Sequence, residues 1–216
     1  YAFGRMAWNP ELTAKELIRE WIRITFETDE HGRQTIEEML LKSRGIYENY
    51  TAPLGIGFMV NPNTHYGPNV DGYEFSSWGT YHRASLDAIG VDRTSKGTGF
   101  TLQYPESLQR MYDRIESCPE ELLLFFHRVR YDYKMKDGRT LLQYIYDSHF
   151  EGARQAEALL QSWETLENRV PRETYNSVKE RLKLQIINAR EWRDQVNTFF
   201  YRQTGINDEK GRKIYR

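Results

Sequence analysis

The sequence predicts a mainly α-helical, irregular domain with a long loop rich in glycine and aromatic residues and a long antiparallel helix hairpin. Three observations indicate this fold class. Apolar residues recur at helical spacing on both sides of residues 53–104. That stretch holds eight of the fifteen glycines, which is incompatible with a long helix or strand. Two uninterrupted helical patterns, 140–166 and 171–203, follow near the end of the chain. We expect residues 1–216 to form a single domain.

Two helices are predicted before the loop. Residues 1–12 are expected to be extended, with three large apolar side chains able to dock, namely Phe3, Met6 and Trp8. A capping box at residues 13–16, Thr-Ala-Lys-Glu, starts the first helix. A turn at residues 30–32 follows. A second capping box at residues 35–38 starts the next helix, which should end near Tyr50.

Between the loop and the hairpin the pattern is also helical. A helix is predicted to begin near Glu106. Residues 117–121 are a further start signal, because their proline suits the first helical position. Residues 122–133 are apolar nearly all round, which predicts the most buried helix of the chain. A turn is expected at residues 136–138.

The hairpin is predicted to bring two long helices side by side, because each should extend roughly 40–50 Å. Gly205 suits the C-terminal cap of the second. An apolar cluster lies near the end of this helix: Trp192, Val196, Phe199, Phe200 and Tyr201. It suggests a self-association surface, and packing within the same chain is an almost equal alternative. Residues 207–216 are expected to be irregular and able to pack against a neighbouring molecule.

Composition narrows the function classes. The net charge of −1 does not favour nucleic-acid binding, and no window approaches the roughly 18 apolar residues of a membrane span. Cys118 is the single cysteine, so no intrachain disulfide can form, which favours a reducing, cytoplasmic setting. The chain begins without a methionine, which suggests a piece of a longer protein. Aromatic residues at 14% suit a carbohydrate-binding surface or a large core, and composition alone favours the core.

The loop holds few groups suited to catalysis. His65 and His82 lie near Asp71 and Asp92 in sequence, but their spacing matches no metal-binding pattern, so we predict no metal and no cofactor. Five carboxylates could take part in glycoside hydrolysis, which needs a pair flanking the bond. In turns such groups usually bind backbone N–H groups, and we favour that structural role for Asp71, Glu74, Asp87, Asp92 and Glu106.

The loop is better suited to binding a sugar. Trp78 lies between Ser77 and Gly79, which leaves its ring faces accessible. Three other aromatic side chains lie near it in sequence, namely Tyr66, Tyr73 and Tyr81. His82 or Arg83 could hold a carboxylate or a hydroxyl of the sugar. The alternative is an aromatic cluster that only holds the loop together, and the two interpretations are about equal on physical grounds.

At these residues the chain resembles the C-terminal domain of the α-glucuronidases of glycoside hydrolase family 67. The matching segments are residues 1–8, 65–84, 90–94, 97–100 and 122–133. The resemblance implies a parent enzyme that hydrolyses α-1,2-linked (4-O-methyl)glucuronic acid from xylo-oligosaccharides with inversion. It also implies that the catalytic carboxylates lie on a preceding β/α barrel, so this chain would carry no catalytic residue.

The same resemblance implies that this domain packs on the barrel, supplies part of the active-site wall and takes part in a homodimer. The expected substrate-binding residues are those of the loop: His65, Tyr66, Trp78, Tyr81 and Arg83. Trp78 would lie near the methyl ether of the sugar. The alternative function is a free-standing α-helical module that binds a carbohydrate or a protein.

Overall fold

The computed structural model describes residues 1–55, 67–70 and 84–215, and these residues are mainly helical, as predicted. The elements are α1 (Ala2–Trp8), α2 (Ala14–Thr25), α3 (Glu30–Thr51), β1 (Ala88–Ile89), α4 (Glu106–Asp113), α5 (Leu123–Phe126), β2 (Val129–Arg130), α6 (Leu141–Glu164) and α7 (Arg172–Thr204). Short 3-10 turns lie at Pro53–Gly55, Phe100–Gln103 and Glu120–Leu122. No helix in the described ranges is long and apolar enough to span a bilayer.

The chain forms two compact units. Unit 1 contains Tyr1–Tyr47 and Gly152–Asn188, and unit 2 contains Glu48–Glu151 and Ala189–Arg216. The single domain over residues 1–216 stays a prediction. Each unit has its own apolar core. That of unit 1 includes Leu17, Ile22, Ile36, Trp163 and Leu166, and that of unit 2 includes Leu124, Leu141, Ile145, Tyr146 and Phe200.

The start of the chain is helical, so the predicted extended segment at residues 1–12 is wrong. Helix α1 is held against α2 by polar contacts. The guanidinium of Arg5 donates to both carboxylate oxygens of Glu20, at 2.9 and 3.0 Å. The hydroxyl of Tyr1 donates to the same carboxylate at 2.8 Å. Phe3 and Trp8 do not dock on the described part of the chain, contrary to expectation, since they are 89% and 88% exposed.

Two capping predictions have different outcomes. At Thr13 and Glu16 both hydrogen bonds of the capping box are present, and α2 begins where expected. The second box is not used, because α3 begins at Glu30, inside the predicted turn. Asp29 supplies the cap instead, as its Oδ1 accepts the N–H of Gly32 at 2.9 Å. An aspartate satisfies exposed N–H groups at a helix start as well as threonine does.

The apolar segment 122–133 is buried but is not one helix, so that prediction is wrong in part. Helix α5 ends at Phe126 because Arg93, from the preceding loop, occupies the carbonyls that a longer helix would use. Its N–H donates to Phe126 O at 2.9 Å, and its guanidinium donates to Phe125 O at 2.6 Å. The chain then extends as β2, which pairs antiparallel with β1 through Ile89–Val129 and Ala88–Arg130.

The predicted antiparallel hairpin of α6 and α7 is confirmed. In unit 1, Trp163 Nε1 donates to Tyr175 O at 3.0 Å, and Glu164 is 2.9 Å from Lys179. In unit 2, the guanidinium of Arg193 lies 5.7 Å from the ring centre of Phe150. Residue numbers fall along α6 as they rise along α7, which is the pattern of antiparallel helices.

Both ends of the hairpin follow the sequence signals. The turn before α6 is present, with Gly138 at a φ of +87° that only glycine adopts readily. Thr140 caps α6 by accepting the N–H of Gln143 at 3.1 Å. Helix α7 ends at Gly205, whose φ is +69° and whose N–H donates to Tyr201 O at 2.8 Å.

The apolar cluster near the end of α7 belongs mainly to the core of unit 2. Trp192, Val196 and Phe200 are buried, and Phe199 and Tyr201 are half-buried. Phe200 packs edge-on against Tyr131, with 6.0 Å between ring centres. The cluster therefore serves packing within the chain, which was the alternative to a self-association surface.

The C-terminal tail is irregular, as predicted, and packs on α6 of its own unit. Gln143 Nε2 donates to Asp208 Oδ1 at 2.8 Å, and Gln143 Oε1 accepts the N–H of Glu209 at 2.8 Å. Arg212 bridges two carboxylates, at 2.6 Å from Asp208 and 2.5 Å from Asp147. We call Gln143, Asp147, Asp208 and Arg212 the tail clamp.

Replacing Asp208 by Asn should destabilise unit 2. Burial raises the pKa of Asp208, but hydrogen bonds from Arg212 and Gln143 lower it to about 2, so the group is charged at neutral pH. Asp208→Asn leaves Arg212 without this charged partner, which should cost about 2–3 kcal/mol in the free energy of unfolding. Urea unfolding at pH 7 measures it. Glu209→Gln, at an exposed neighbour, is the control, and equal stabilities would contradict the clamp.

Candidate functional site

The candidate site is the support of the glycine-rich stretch, because the predicted sugar-binding residues lie outside the described residues: His65, Tyr66, Trp78, Tyr81 and Arg83. The same is true of Asp71, Glu74 and His82. The structure describes both chain ends that lead into this region, at Pro53–Gly55 and from Ala84 onward. We call the residues that hold these two ends the loop frame: Gly55, Ser85, Gly90, Arg128 and Tyr131.

The first end is buried in the core of unit 2. Pro53 and Leu54 are buried, and Leu54 has a φ of 61°, which is costly for a branched side chain. Gly55 follows at a φ of 72°, and a Cβ there would lie 3.0 Å from Glu121 O. The chain therefore passes directly over the segment that leads into α5, and burial of Leu54 offsets the backbone strain.

The second end is fixed by Ser85. Its N–H donates to Ala88 O at 2.9 Å, and its hydroxyl donates to Asp87 Oδ1 at 2.7 Å. The same hydroxyl accepts Arg128 Nη2 at 2.6 Å, and Ser85 O accepts the hydroxyl of Tyr131 at 3.0 Å. The side chains of Arg128 and Tyr131, which flank β2, thus hold the chain at Ser85.

Both ends of the stretch are therefore held by one supporting segment, residues 121–131. The closest approach is at Gly90, whose φ is +97°. A Cβ there would lie 2.2 Å from His127 O, so no larger residue fits without moving the backbone. Because the support is hydrogen-bonded and mostly buried, it fixes the positions of the two described ends, at Gly55 and Ser85, between which the loop is predicted.

A second loop, residues 91–101, folds on the same support. Asp92 Oδ1 accepts the N–H and the hydroxyl of Thr94, at 3.0 and 2.7 Å. A Cβ at Gly97 would lie 2.2 Å from Asp92 O, so this turn also requires glycine. Asp113, from α4, holds the loop from beneath. Its carboxylate accepts the N–H of Ser95 at 2.9 Å and the hydroxyl of Thr101 at 2.5 Å.

An open cleft of about 610 Å³ lies beside the loop frame. It is lined by both charge signs, and the lining includes Asp87, Asp92, Asp113, His127, Arg128 and Arg130. Asp87 lies 3.8 Å from each of the two arginines. A hydrogen bond from Ser85 lowers the pKa of Asp87, and burial lowers the pKa of His127. Asp87 is therefore charged and His127 neutral at pH 7.

Two carboxylates of the cleft have partners within the chain: Asp92 accepts the backbone N–H of Thr94, as expected for a turn, and Asp87 accepts the hydroxyl of Ser85. The structural role favoured for Asp87 and Asp92 over a catalytic one stays a prediction. Glu106 lies elsewhere, on α4, where it pairs with Arg110 at 2.8 Å. Within the described ranges, no three side chains of the ligating types come together as a metal site. The cleft is thus a polar surface of mixed charge beside the loop frame.

Three supporting residues were not predicted from the sequence: Ser85 and Arg128 of the loop frame, and Asp113, which holds loop 91–101. One signal was present. Arg128 comes two residues after an apolar run at residues 122–126, and a charged residue beside buried apolar ones needs a partner. Ser85 and Asp113 carry no comparable signal, because serine and aspartate are ordinary at helix ends and turns.

Comparison with known proteins gives a match over almost the whole chain. A sequence model of the family described as "Glycosyl hydrolase family 67 C-terminus" matches residues 1–213. "Probable alpha-glucuronidase A" of Aspergillus flavus is 42% identical over 98% of this chain and 26% of its own length. "Alpha-glucuronidase A" of Emericella nidulans is 41% identical over 98% of this chain and 25% of its own length. The chain thus spans about a quarter of the length of these relatives.

Replacing Asp113 by Asn should loosen loop 91–101. Burial raises the pKa of Asp113, but hydrogen bonds from Ser95 and Thr101 lower it to about 2. Because the pKa is lower in the folded state, the stabilisation is complete above the unfolded value near 4 and is lost as pH falls toward 2. At pH 7, Asp113→Asn should lower the melting temperature by several degrees, and the difference from wild type should shrink below pH 4.

Calorimetry from pH 7 to pH 2.5 tests this expectation. Glu116→Gln is the matched control, because Glu116 lines the same cleft but is exposed. A gap between wild type and Asp113→Asn that stays constant over this pH range would contradict the assignment.

Proposed function

The chain belongs to glycosyl hydrolase family 67 as its C-terminal domain, and on that premise we propose that it is part of an α-glucuronidase that acts on xylan fragments. The observation that carries the proposal is the match over residues 1–213, together with relatives named alpha-glucuronidase. The substrate would be a xylo-oligosaccharide that bears α-1,2-linked (4-O-methyl)glucuronic acid, and the reaction an inverting hydrolysis. This chain would supply part of the active-site wall.

We infer that the acid and base come from the preceding part of the same polypeptide, a β/α barrel. Inverting hydrolysis needs two carboxyl groups roughly 6.5–9.5 Å apart, one raised in pKa to act as acid. Among the described candidates, Asp87, Asp92 and Glu106 have structural partners instead. The length of the relatives, about four times that of this chain, leaves room for such a domain.

The wall of the active site would be the region between the two ends of the loop frame. Sugars pack their C–H faces on aromatic rings, and an arginine suits a uronate carboxylate. We therefore propose Trp78 as the contact to the methyl ether, with His65, Tyr66, Tyr81 and Arg83 around the acid. A loop carrying such contacts needs rigid ends, and the frame is built to provide them.

Two further expectations belong to the same proposal. A homodimer is expected of the parent enzyme, and its surface would lie away from the buried Trp192, Val196 and Phe200. A cytoplasmic location stays a prediction that rests on cysteine usage. The alternative of a free-standing binding module is less favoured, because the matching relatives are longer proteins named as glucuronidases.

Residues 1–216 alone should not hydrolyse aldouronic acids, since the acid and base would be missing. Purified chain is incubated with aldotetraouronic acid, and released uronic acid is measured by chromatography. The full-length polypeptide is the positive control. Turnover by the isolated chain near that of the full-length enzyme would show that the catalytic groups lie within these residues.

Trp78→Ala in the full-length enzyme should lower kcat/KM while the fold survives. Loss of one aromatic contact to the sugar is worth on the order of 1–3 kcal/mol, or about ten- to a hundredfold in kcat/KM. The loss should be larger on methylated than on unmethylated substrate. Trp78→Phe is the matched control, because it keeps an aromatic face.

The competing interpretation of Trp78, as the centre of an aromatic cluster within the loop, has a different signature. It predicts a drop of several degrees in melting temperature before any specific kinetic defect. Kinetics and melting temperature are therefore measured on the same samples. Unchanged kinetics on both substrates would reject the pocket role.

A further inference from the structure

The cleft beside the loop frame holds charged side chains that packing of unit 2 leaves without a partner. Lys96, Arg114 and Glu116 line it, and all three are exposed. Within the described residues, none of these three side chains makes a hydrogen bond or an ion pair. Other carboxylates of the cleft are already bound, Asp92 to Thr94 and Asp113 to Ser95. The cleft therefore offers both donors and an acceptor to a ligand.

The backbone of Lys96 is held in place although it lies in the turn of an exposed loop. The N–H and the hydroxyl of Ser95 donate to Asp113, at 2.9 and 2.6 Å. The N–H of Lys96 donates to the hydroxyl of Thr94 at 3.3 Å. Exposed loops are usually mobile, whereas side chains that bind a ligand are held by a second layer of hydrogen bonds. Loop 91–101 has such a layer, but the described residues give the amine of Lys96 nothing to bind.

The charges of the cleft favour a neutral, hydroxyl-rich ligand over an ion. Four basic and four acidic side chains line it, so the attraction of either set for an ion is opposed by the other set. A sugar hydroxyl both donates and accepts hydrogen bonds, as a serine hydroxyl does. It can therefore accept from Lys96 or Arg114 and donate to Glu116. The volume of about 610 Å³ lies within the range of ligand sites, roughly 300–1,000 Å³.

We propose that this cleft binds the xylose units that adjoin the uronate-bearing xylose of the substrate, with Lys96, Arg114 and Glu116 as the binding side chains. This rests on the proposed function, which places the uronic acid at the glycine-rich loop. Asp87, in the lining of the cleft, follows Arg83 by four residues, and four residues span at most about 14 Å. The cleft is therefore close enough to the proposed wall for the rest of the oligosaccharide to reach it.

Acetylation of lysine amines can report on the cleft without catalysis. The full-length polypeptide is treated with an acetyl N-hydroxysuccinimide ester, with and without xylotriose, and each lysine is followed by peptide mass spectrometry. Lys134 is the matched control, because it is exposed in the same unit but lies outside the cleft. We expect xylotriose to slow acetylation of Lys96 about tenfold when its concentration is ten times the Kd that the protection curve gives. Acetylation of Lys134 should not change.

Three outcomes would overturn the proposal. Equal acetylation of Lys96 with and without xylotriose would mean that its amine is an ordinary solvated charge. Failure of Lys96 to react without sugar would mean that another part of the protein covers the cleft. Protection by glucuronic acid but not by xylotriose would mean that the cleft binds the uronic acid instead.

The same site should make longer substrates bind better. Lys96→Ala/Glu116→Ala removes one donor and one acceptor without changing the net charge. In the full-length enzyme it should raise the KM for aldotetraouronic acid, with three xylose units, about tenfold more than that for aldobiouronic acid, with one. Lys134→Ala/Glu209→Ala, at exposed residues outside the cleft, is the charge-matched control and should change neither KM. Equal effects of the cleft variant on both substrates would contradict the assignment.

Failure of this inference and failure of the proposed function give different results. A full-length protein that lacks α-glucuronidase activity, but whose Lys96 is protected by xylotriose, would refute the proposed function and support the xylose site. Activity without protection of Lys96 would refute the xylose site alone.

Discussion

The close approach of Gly90 to the carbonyl of His127 is the constraint on which the described part of unit 2 depends. A Cβ at this position would lie 2.2 Å from the oxygen, so the two backbones meet only because residue 90 is glycine. The approach brings β1 beside β2 and places Arg93 where it binds the carbonyls of Phe125 and Phe126. Those hydrogen bonds end α5, and the extended chain beyond it positions Arg128 to hold Ser85.

This arrangement explains why an apolar segment does not form one continuous helix. As one continuous helix, residues 123–131 would satisfy their own carbonyls and offer none to neighbours. Broken after Phe126, the segment binds the chain on two sides. It contacts the 3-10 turn at Pro53–Gly55 and pairs with β1 after the loop. Because one segment holds both ends, the conformational entropy lost on folding is mainly that of closing a single loop.

The elements that the sequence predicts correctly are those whose signals are local. The capping box at Thr13, the glycine after α7 and the two long helices depend on residues close together in the chain. The predictions fail where residues distant in sequence determine the local structure. Arg93 ends α5 from about thirty positions away, and Glu20 binds Arg5 and so holds α1 in place. The loop frame was missed for the same reason, since nothing near Ser85 indicates that Arg128 and Tyr131 will bind it. The turn contact of Asp92 was predictable, because its partner Thr94 is two residues away.

The division between support and surface also follows from local chemistry. In the loop frame, glycines let the backbones approach closely, and the side chains of Arg128 and Tyr131 are hydrogen-bonded to Ser85. The residues proposed to meet the sugar are aromatic or carry charge, and they lie between the frame's two ends in sequence. A uronic acid offers a carboxylate, hydroxyls and an apolar edge, so its recognition needs several contacts at fixed spacing. Changes in the frame should therefore act through the position of the loop, and changes within the loop through direct contact. Under the proposed function, in which the acid and base lie in the preceding domain, holding that spacing is the contribution of this domain to catalysis.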